Sequence, residues 1–150
     1  MEKNGFIVKN VIVWDKEIHG LNYQNYAYTY EMIIFFVRDN YFPKNKPGNF
    51  YKDVWKIKRD LNNLQASNEE THHETIKQIE VVRKCILHGS RENDLILDPF
   101  IGSGTTAVAC KQNNRNFIGF EIREDYIKLA QQKYDDTELN LTKFGVLNNE

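Results

Sequence analysis

Apolar residues along this 150-residue chain gather in short runs, and the period of each run predicts its element. Two runs in the first third, Phe6 to Trp14 (FIVKNVIVW) and Tyr28 to Val37 (YTYEMIIFFV), are rich in β-branched and aromatic residues and read as strands. The second is almost continuously apolar, which predicts burial on both faces. Between them, Asp15 to Ala27 carries Gly20, Asn22 and Asn25 and reads as a long hairpin loop. From Asp39 to His72 the periodicity fades. Pro43, Pro47 and Gly48 break structure, and Asn62, Asn63 and Ser67 keep the texture polar, so a long irregular excursion is expected. Loops of that length in a compact domain are functional or disordered.

The second half has sharper periods. Glu74 to His88 places Ile76, Ile79, Val82 and Ile86 on one helical face. A turn over 89–94 leads into Leu95-Ile96-Leu97, a short buried strand. The loop Asp98-Pro99-Phe100-Ile101-Gly102-Ser103-Gly104 then feeds a helix from Thr105 to Gln112. A strand over Phe117 to Ile122 follows, then a helix from Glu124 to Tyr134 with Tyr126, Ile127, Ala130 and Tyr134 facing inward. Strand, glycine loop, helix, strand, helix is a βαβ unit, which implies parallel strands and a right-handed crossover. The expected organisation is one α/β domain: hairpin strands in 1–38, an irregular loop in 39–72 and a ligand-binding βαβα unit in 73–150.

Composition narrows the classes without naming one. Apolar residues make up 41% and charged residues 27%, which excludes collagen-like and wholly disordered chains. Twenty basic against 21 acidic residues give a net charge of −1, so the chain is not a strongly basic nucleic-acid binder overall. Cys85 and Cys110 match no metal or redox spacing and read as small buried hydrophobes in a reducing compartment. The N-terminus has no signal architecture and no apolar run nears 18 residues, so a cytoplasmic protein without a membrane association is expected. The sequon at Asn140 is then idle. His72-His73-Glu74 is one residue from a zinc-protease helix, but Lys77 replaces the second histidine, so no metal is expected.

The chemistry concentrates between Leu97 and Ile122. Glycines between a strand and a helix let backbone approach a ligand, and the helix N-terminus offers free N–H groups. Glu121 follows Gly102 by 19 residues and is placed to accept hydrogen bonds from ribose hydroxyls. Taken alone, Gly102-x-Gly104-x-x-Ala107 with Glu121 also fits a dinucleotide fingerprint, and hence an NAD-dependent oxidoreductase. Asp98 argues against that: a carboxylate repels a pyrophosphate but attracts an ammonium. Pro99-Phe100 also lengthens the turn, and no Lys-Ser/Thr follows the glycines as a Walker loop requires. A carboxylate for an amino group, glycines for close backbone and an acid for a ribose together suit S-adenosylmethionine.

The run Asp-Pro-Phe-Ile-Gly-Ser-Gly-Thr-Thr from Asp98, with Arg115-Asn116-Phe117-Ile118-Gly119-Phe120-Glu121-Ile122, resembles the cofactor motifs of the amino-methylating DNA methyltransferases. The similarity is to the branch whose catalytic motif precedes the cofactor motif. His73, Thr75 and Lys77 fall in register with that branch's His-Pro-Thr-x-Lys-Pro element, without its prolines. Gly5-Phe6, Trp14 with Lys16, Tyr30-Glu31 and Asp53-Val54-Trp55 match more weakly. The resemblance implies a Rossmann-like S-adenosylmethionine-dependent methyltransferase fold, and methylation of an exocyclic base amine, adenine ahead of cytosine. It assigns the ammonium to Asp98, and the methionine and sulfonium region to Phe100, Gly102, Ser103, Gly104, Thr105 and Thr106. The ribose falls to Glu121 and the adenine face to Ile122, with His73, Thr75 and Lys77 also on the cofactor. The bland alternatives are helix capping for His73, Thr75, Lys77, Thr105 and Thr106, a structural carboxylate for Asp98 and Glu121, and core packing for Phe100, Trp14 and Trp55.

One departure outweighs the matches. The family's catalytic Asp/Asn/Ser-Pro-Pro-aromatic tetrapeptide holds the target amine against a flipped base. Here the three prolines are Pro43, Pro47 and Pro99, none adjacent, so no catalytic residue is assigned. The chain reads as the C-terminal half of such an enzyme, with central strands missing. A partner chain, a homodimer or a rearranged sheet would then have to satisfy the exposed strand edges; a remnant that binds cofactor and DNA without catalysis is the competing reading. For double-stranded DNA the candidates are Lys44, Lys46, Lys52, Lys56, Lys58 and Arg59, six basic residues against two acidic between Lys44 and Asp60, interleaved with Phe50, Tyr51 and Trp55. A solvated face is the plain alternative.

Overall fold

The computed structural model describes residues 5–17, 29–38, 52–58 and 78–138. The chain divides into two compact units, Met1–Glu74 and Thr75–Glu150. In the first, β1 (Phe6–Asp15) pairs antiparallel with β2 (Tyr30–Arg38), and β3 (Val54–Lys56) pairs parallel with β1, giving the order β2-β1-β3. The hairpin is as expected; β3 is not, because it interrupts the stretch read as irregular. Two tryptophans account for it. The indole N–H of Trp14 donates to the Ile57 carbonyl at 2.8 Å, and that of Trp55 to the Lys52 carbonyl at 2.8 Å. Both rings are buried, which makes them core anchors and fixes the register Trp14 against Trp55.

The apolar run of β2 is not buried on both faces. Its residues alternate between exposed and more buried positions, with Met32 66% and Ile34 48% exposed. A register shift between Val8 and Asn10 relieves the pairing in β1.

In the second unit, α1 (Ile79–Gly89), β4 (Leu95–Asp98), α2 (Thr105–Gln112), β5 (Asn116–Gly119) and α3 (Glu124–Asp136) follow one another, and β4 and β5 pair parallel. Ile86, Ala109 and Cys110 form the core, with Val82, Ile96 and Phe117 packed against them. Period two decides what faces that core: Ile96 and Phe117 point inward while Leu95, Leu97 and Ile118 are exposed, so β4 is a one-sided strand rather than a buried one. Three more expectations need correcting. Ile79, in the first turn of α1, is exposed while Val81 is buried. Cys85 lies at the margin of the Val82–Ile86 stripe and is exposed, unlike Cys110. Ile127 is also exposed, leaving Ala130 as the buried contact of α3.

Candidate functional site

The site residues of the second unit collect where β4 and β5 end. Parallel strands place all their C-terminal ends on one side, and ligands of open α/β sheets bind there. Asp98 is the last residue of β4. One of its carboxylate oxygens accepts the Phe100 N–H at 3.0 Å and the other the Thr106 hydroxyl at 2.6 Å. A carboxylate held by two donors has a fixed plane, and the short O–H···O contact is of the charge-assisted kind.

The loop after Asp98 is pinned by backbone. Phe120 N–H donates to the Asp98 carbonyl, and Ile101 N–H donates to the Phe120 carbonyl, each at 3.0 Å. Gly102 has φ +51° and Gly104 φ +86°, a left-handed region that side chains rarely enter. Gly104 is needed twice over, since a Cβ there would lie 2.7 Å from the Ala130 Cβ of α3. Gly104 is also the N-cap of α2 and supplies no side-chain cap. The first helical bond runs from Val108 N–H to the Gly104 carbonyl at 3.0 Å. The N–H groups of Thr105, Thr106 and Ala107 therefore precede the helix's own hydrogen-bond ladder. Ser103 is buried, and Thr105 and Thr106 are half-buried.

Regular pairing in β5 stops at Gly119, three residues before the expected Ile122. Beyond Phe120 the chain turns on a side chain: one oxygen of Glu121 accepts the N–H groups of Ile122 at 2.8 Å and Arg123 at 2.9 Å. Among the described residues its other oxygen, Oε2, receives no hydrogen bond. Flanking these acids are apolar side chains in water, with Phe100 88% and Ile122 99% exposed.

The model of the DNA methylase family N6_N4_Mtase matches residues 1–132. The chain belongs to this family. The type II methyltransferase M2.LlaDCHI of Lactococcus lactis subsp. cremoris is 31% identical, covering 89% of this chain and 53% of the relative. M2.MboI of Moraxella bovis is 30% identical, covering 91% of this chain and 53% of its own length. Among solved structures, the M1.HpyAVI–SAM complex aligns with a TM-score of 0.73 at 33% identity, over 88% of this chain and 64% of that one. The cytosine-N4-specific PvuII DNA methyltransferase shares the fold at TM-score 0.72 and 16% identity. The fold is Rossmann-like, as expected. The chain spans about half the length of the curated relatives it matches.

The structure thus gathers Asp98, Phe100, Gly102, Ser103, Gly104, Thr105, Thr106, Glu121 and Ile122 at one strand end. His73, Thr75 and Lys77 lie outside the described residues, as do Lys44, Lys46 and Arg59. Lys52, Lys56 and Lys58 are exposed on and beside the edge strand β3. Sequence reasoning missed Gly119, whose missing side chain leaves the room that the Ile101 side chain fills. Its signal was a glycine inside an apolar strand, which marks a close approach. Among the described residues no His, Cys, Asp and Glu cluster is suited to a metal, and no helix is long and apolar enough to cross a membrane.

Proposed function

We propose that this chain is the S-adenosylmethionine-binding portion of a DNA methyltransferase acting on an exocyclic base amine. The observation that supports it best is the pair of fixed carboxylates, Asp98 as the last residue of β4 and Glu121 in the link just past the adjacent parallel β5. S-adenosylmethionine supplies a methyl group on a positively charged sulfur, and the donor set fits it. Asp98 is oriented to receive the methionine ammonium. Gly102 and Gly104 admit the methionine backbone to the N–H groups that open α2. Glu121 presents Oε2 to the ribose hydroxyls, and the exposed Phe100 and Ile122 gain cover when the adenine ring lies against Ile122. His73, Thr75 and Lys77 complete the cofactor set in this reading.

Lys52, Lys56 and Lys58, with Lys44, Lys46 and Arg59, would meet DNA phosphates. The edge position and exposure of β3 support this, since a lysine-bearing edge strand leaves its charges in water. For methylation, the catalytic tetrapeptide would have to come from polypeptide outside these 150 residues, whether a partner or the rest of a longer chain. The absence of adjacent prolines equally suits a subunit or remnant that binds without methylating.

Two measurements test the reading. Calorimetric titration should show S-adenosylmethionine binding that Glu121→Ala and Asp98→Ala each weaken by about 10–150-fold, the worth of one charge-assisted hydrogen bond. Unchanged binding in both variants would put the pocket elsewhere. Neutralising Lys52, Lys56 and Lys58 should flatten the salt dependence of DNA binding by about 0.9 in slope per lost contact; an unmoved slope removes β3 from the interface.

A further inference from the structure

We infer that Arg123 is a positioning residue for the cofactor site, bracing Glu121 without itself touching the ligand; the inference rests on the S-adenosylmethionine reading above. Glu121, Ile122 and Arg123 form the link between β5 and α3, and Ile122 is 99% exposed, so its side chain adds no packing to hold the link. Arg123 is tied in place by polar contacts instead, although its side chain is 54% exposed. Its Nε donates to Asp125 Oδ1 at 3.1 Å and its Nη2 to Asp125 Oδ2 at 2.5 Å, a two-toothed pair. Its guanidinium carbon stands 4.1 Å from the centre of the Tyr126 ring. Its carbonyl accepts the N–H groups of Tyr126 and Ile127, each at 3.1 Å. That leaves its own N–H aimed back at Glu121 Oε1, 2.9 Å away.

The consequence is geometric. Arg123 sits in extended conformation, φ −93° and ψ 117°, as the N-cap of α3 without a side-chain cap of its own. Where an N-cap commonly uses its side chain to hold the helix start, this one ties its side chain into the first turn and spends its backbone N–H on the neighbouring acid. With Oε1 engaged by two backbone donors, Oε2 is the oxygen that, among the described residues, is left for a ribose hydroxyl. Lysine cannot replace the clamp, because a single ammonium does not match both Asp125 oxygens in one plane.

The test is a double-mutant cycle read by calorimetric titration of S-adenosylmethionine onto the full chain. Arg123→Ala should weaken binding about 3–10-fold, toward the lower end of the coupling between contacting residues, since the pair is exposed. Arg123→Lys should behave like Arg123→Ala, and Asp125→Ala should reproduce the loss. In a Glu121→Ala background the further loss on Arg123→Ala should fall below about 1.5-fold, since the brace then has nothing to hold. Methylthioadenosine lacking both ribose hydroxyls should bind wild type and Arg123→Ala alike. An undiminished loss in the Glu121→Ala background would mean that Arg123 acts on the ligand directly or through the fold, and would overturn the inference. So would no loss at all beside intact wild-type binding. Absence of wild-type binding would instead overturn the cofactor reading on which it rests.

Discussion

At the N-terminal ends of β4 and β5, polar groups satisfy one another. Arg115 donates from Nη2 to the Ser90 carbonyl at 3.0 Å, from Nε to the Ser90 hydroxyl at 3.2 Å and from Nη1 to the Asn113 carbonyl at 2.5 Å. Ser90 and Asn113 are buried, and Asn113 donates its amide to the Ala109 carbonyl at 2.7 Å. At the C-terminal ends the same strands release Phe100 and Ile122 into water and, among the described residues, leave Glu121 Oε2 without a donor. One end is closed on itself and the other is open to something else. The chain places its stabilising network at the end where no chemistry is proposed, so the two roles are separable by mutation.

The change with the largest expected effect breaks that separation. Gly104 belongs to the open end, yet its α-carbon is packed against Ala130. Gly104→Val should cost about 3 kcal/mol or more, from the left-handed backbone and the clash together, and abolish cofactor binding with it. Urea denaturation would show this as a fall in midpoint, and an unchanged midpoint would mean the glycine serves the ligand alone.

A pair of variants sharpens the contrast. Arg115→Ala should lower stability by about 1–3 kcal/mol, because it strips donors from buried carbonyls, while leaving the S-adenosylmethionine dissociation constant within about twofold. Glu121→Ala should do the reverse: a large loss of affinity, as above, with stability changed by less than about 1 kcal/mol, since its bonds are exposed turn contacts. If both variants move both quantities, the two ends are coupled.

How far the sequence foretold this depends on which interactions shape each piece. The helix over Thr105–Gln112 was legible to the residue, because Gly104 and the apolar period bracket it locally. The parallel pairing of β4 with β5 followed from the βαβ order. By contrast, β3 is three residues long, and what makes it a strand is the distant pair Trp14 and Trp55, which no local window contains. The expected end of β5 at Ile122 overran the pairing because the apolar pattern continues through Phe120 and Ile122 on either side of Glu121. The Glu121 carboxylate ends the strand by capturing two N–H groups. The one-sided exposure of β2 and β4 was illegible for a different reason. Apolar sequence predicts what a strand is suited to bury, not whether this stretch of chain provides the cover.

Between the two ends lies Cys110, wholly buried in the core, and it yields the smallest of the expected effects. Burial pushes its thiol up to about 11, against the nearby positive charge of Arg115 and with the negative charge of Asp98. In the unfolded chain the same thiol ionises near 9.0. The unfolded state therefore loses its proton first as pH rises. The stability contributed by keeping the thiol neutral is fully present below pH 9 and drains away between pH 9 and about 11. At pH ~10 the loss should be about 1.4 kcal/mol, one pH unit's worth of linkage. Cys110→Ala should lower stability near neutral pH through the lost sulfur, yet remove the part of the alkaline decline that the thiol causes. Urea midpoints followed from pH 8 to 10.5 decide it. If wild type and variant decline in parallel, the alkaline loss belongs to surface lysines and tyrosines, and the core between the two ends is indifferent to pH.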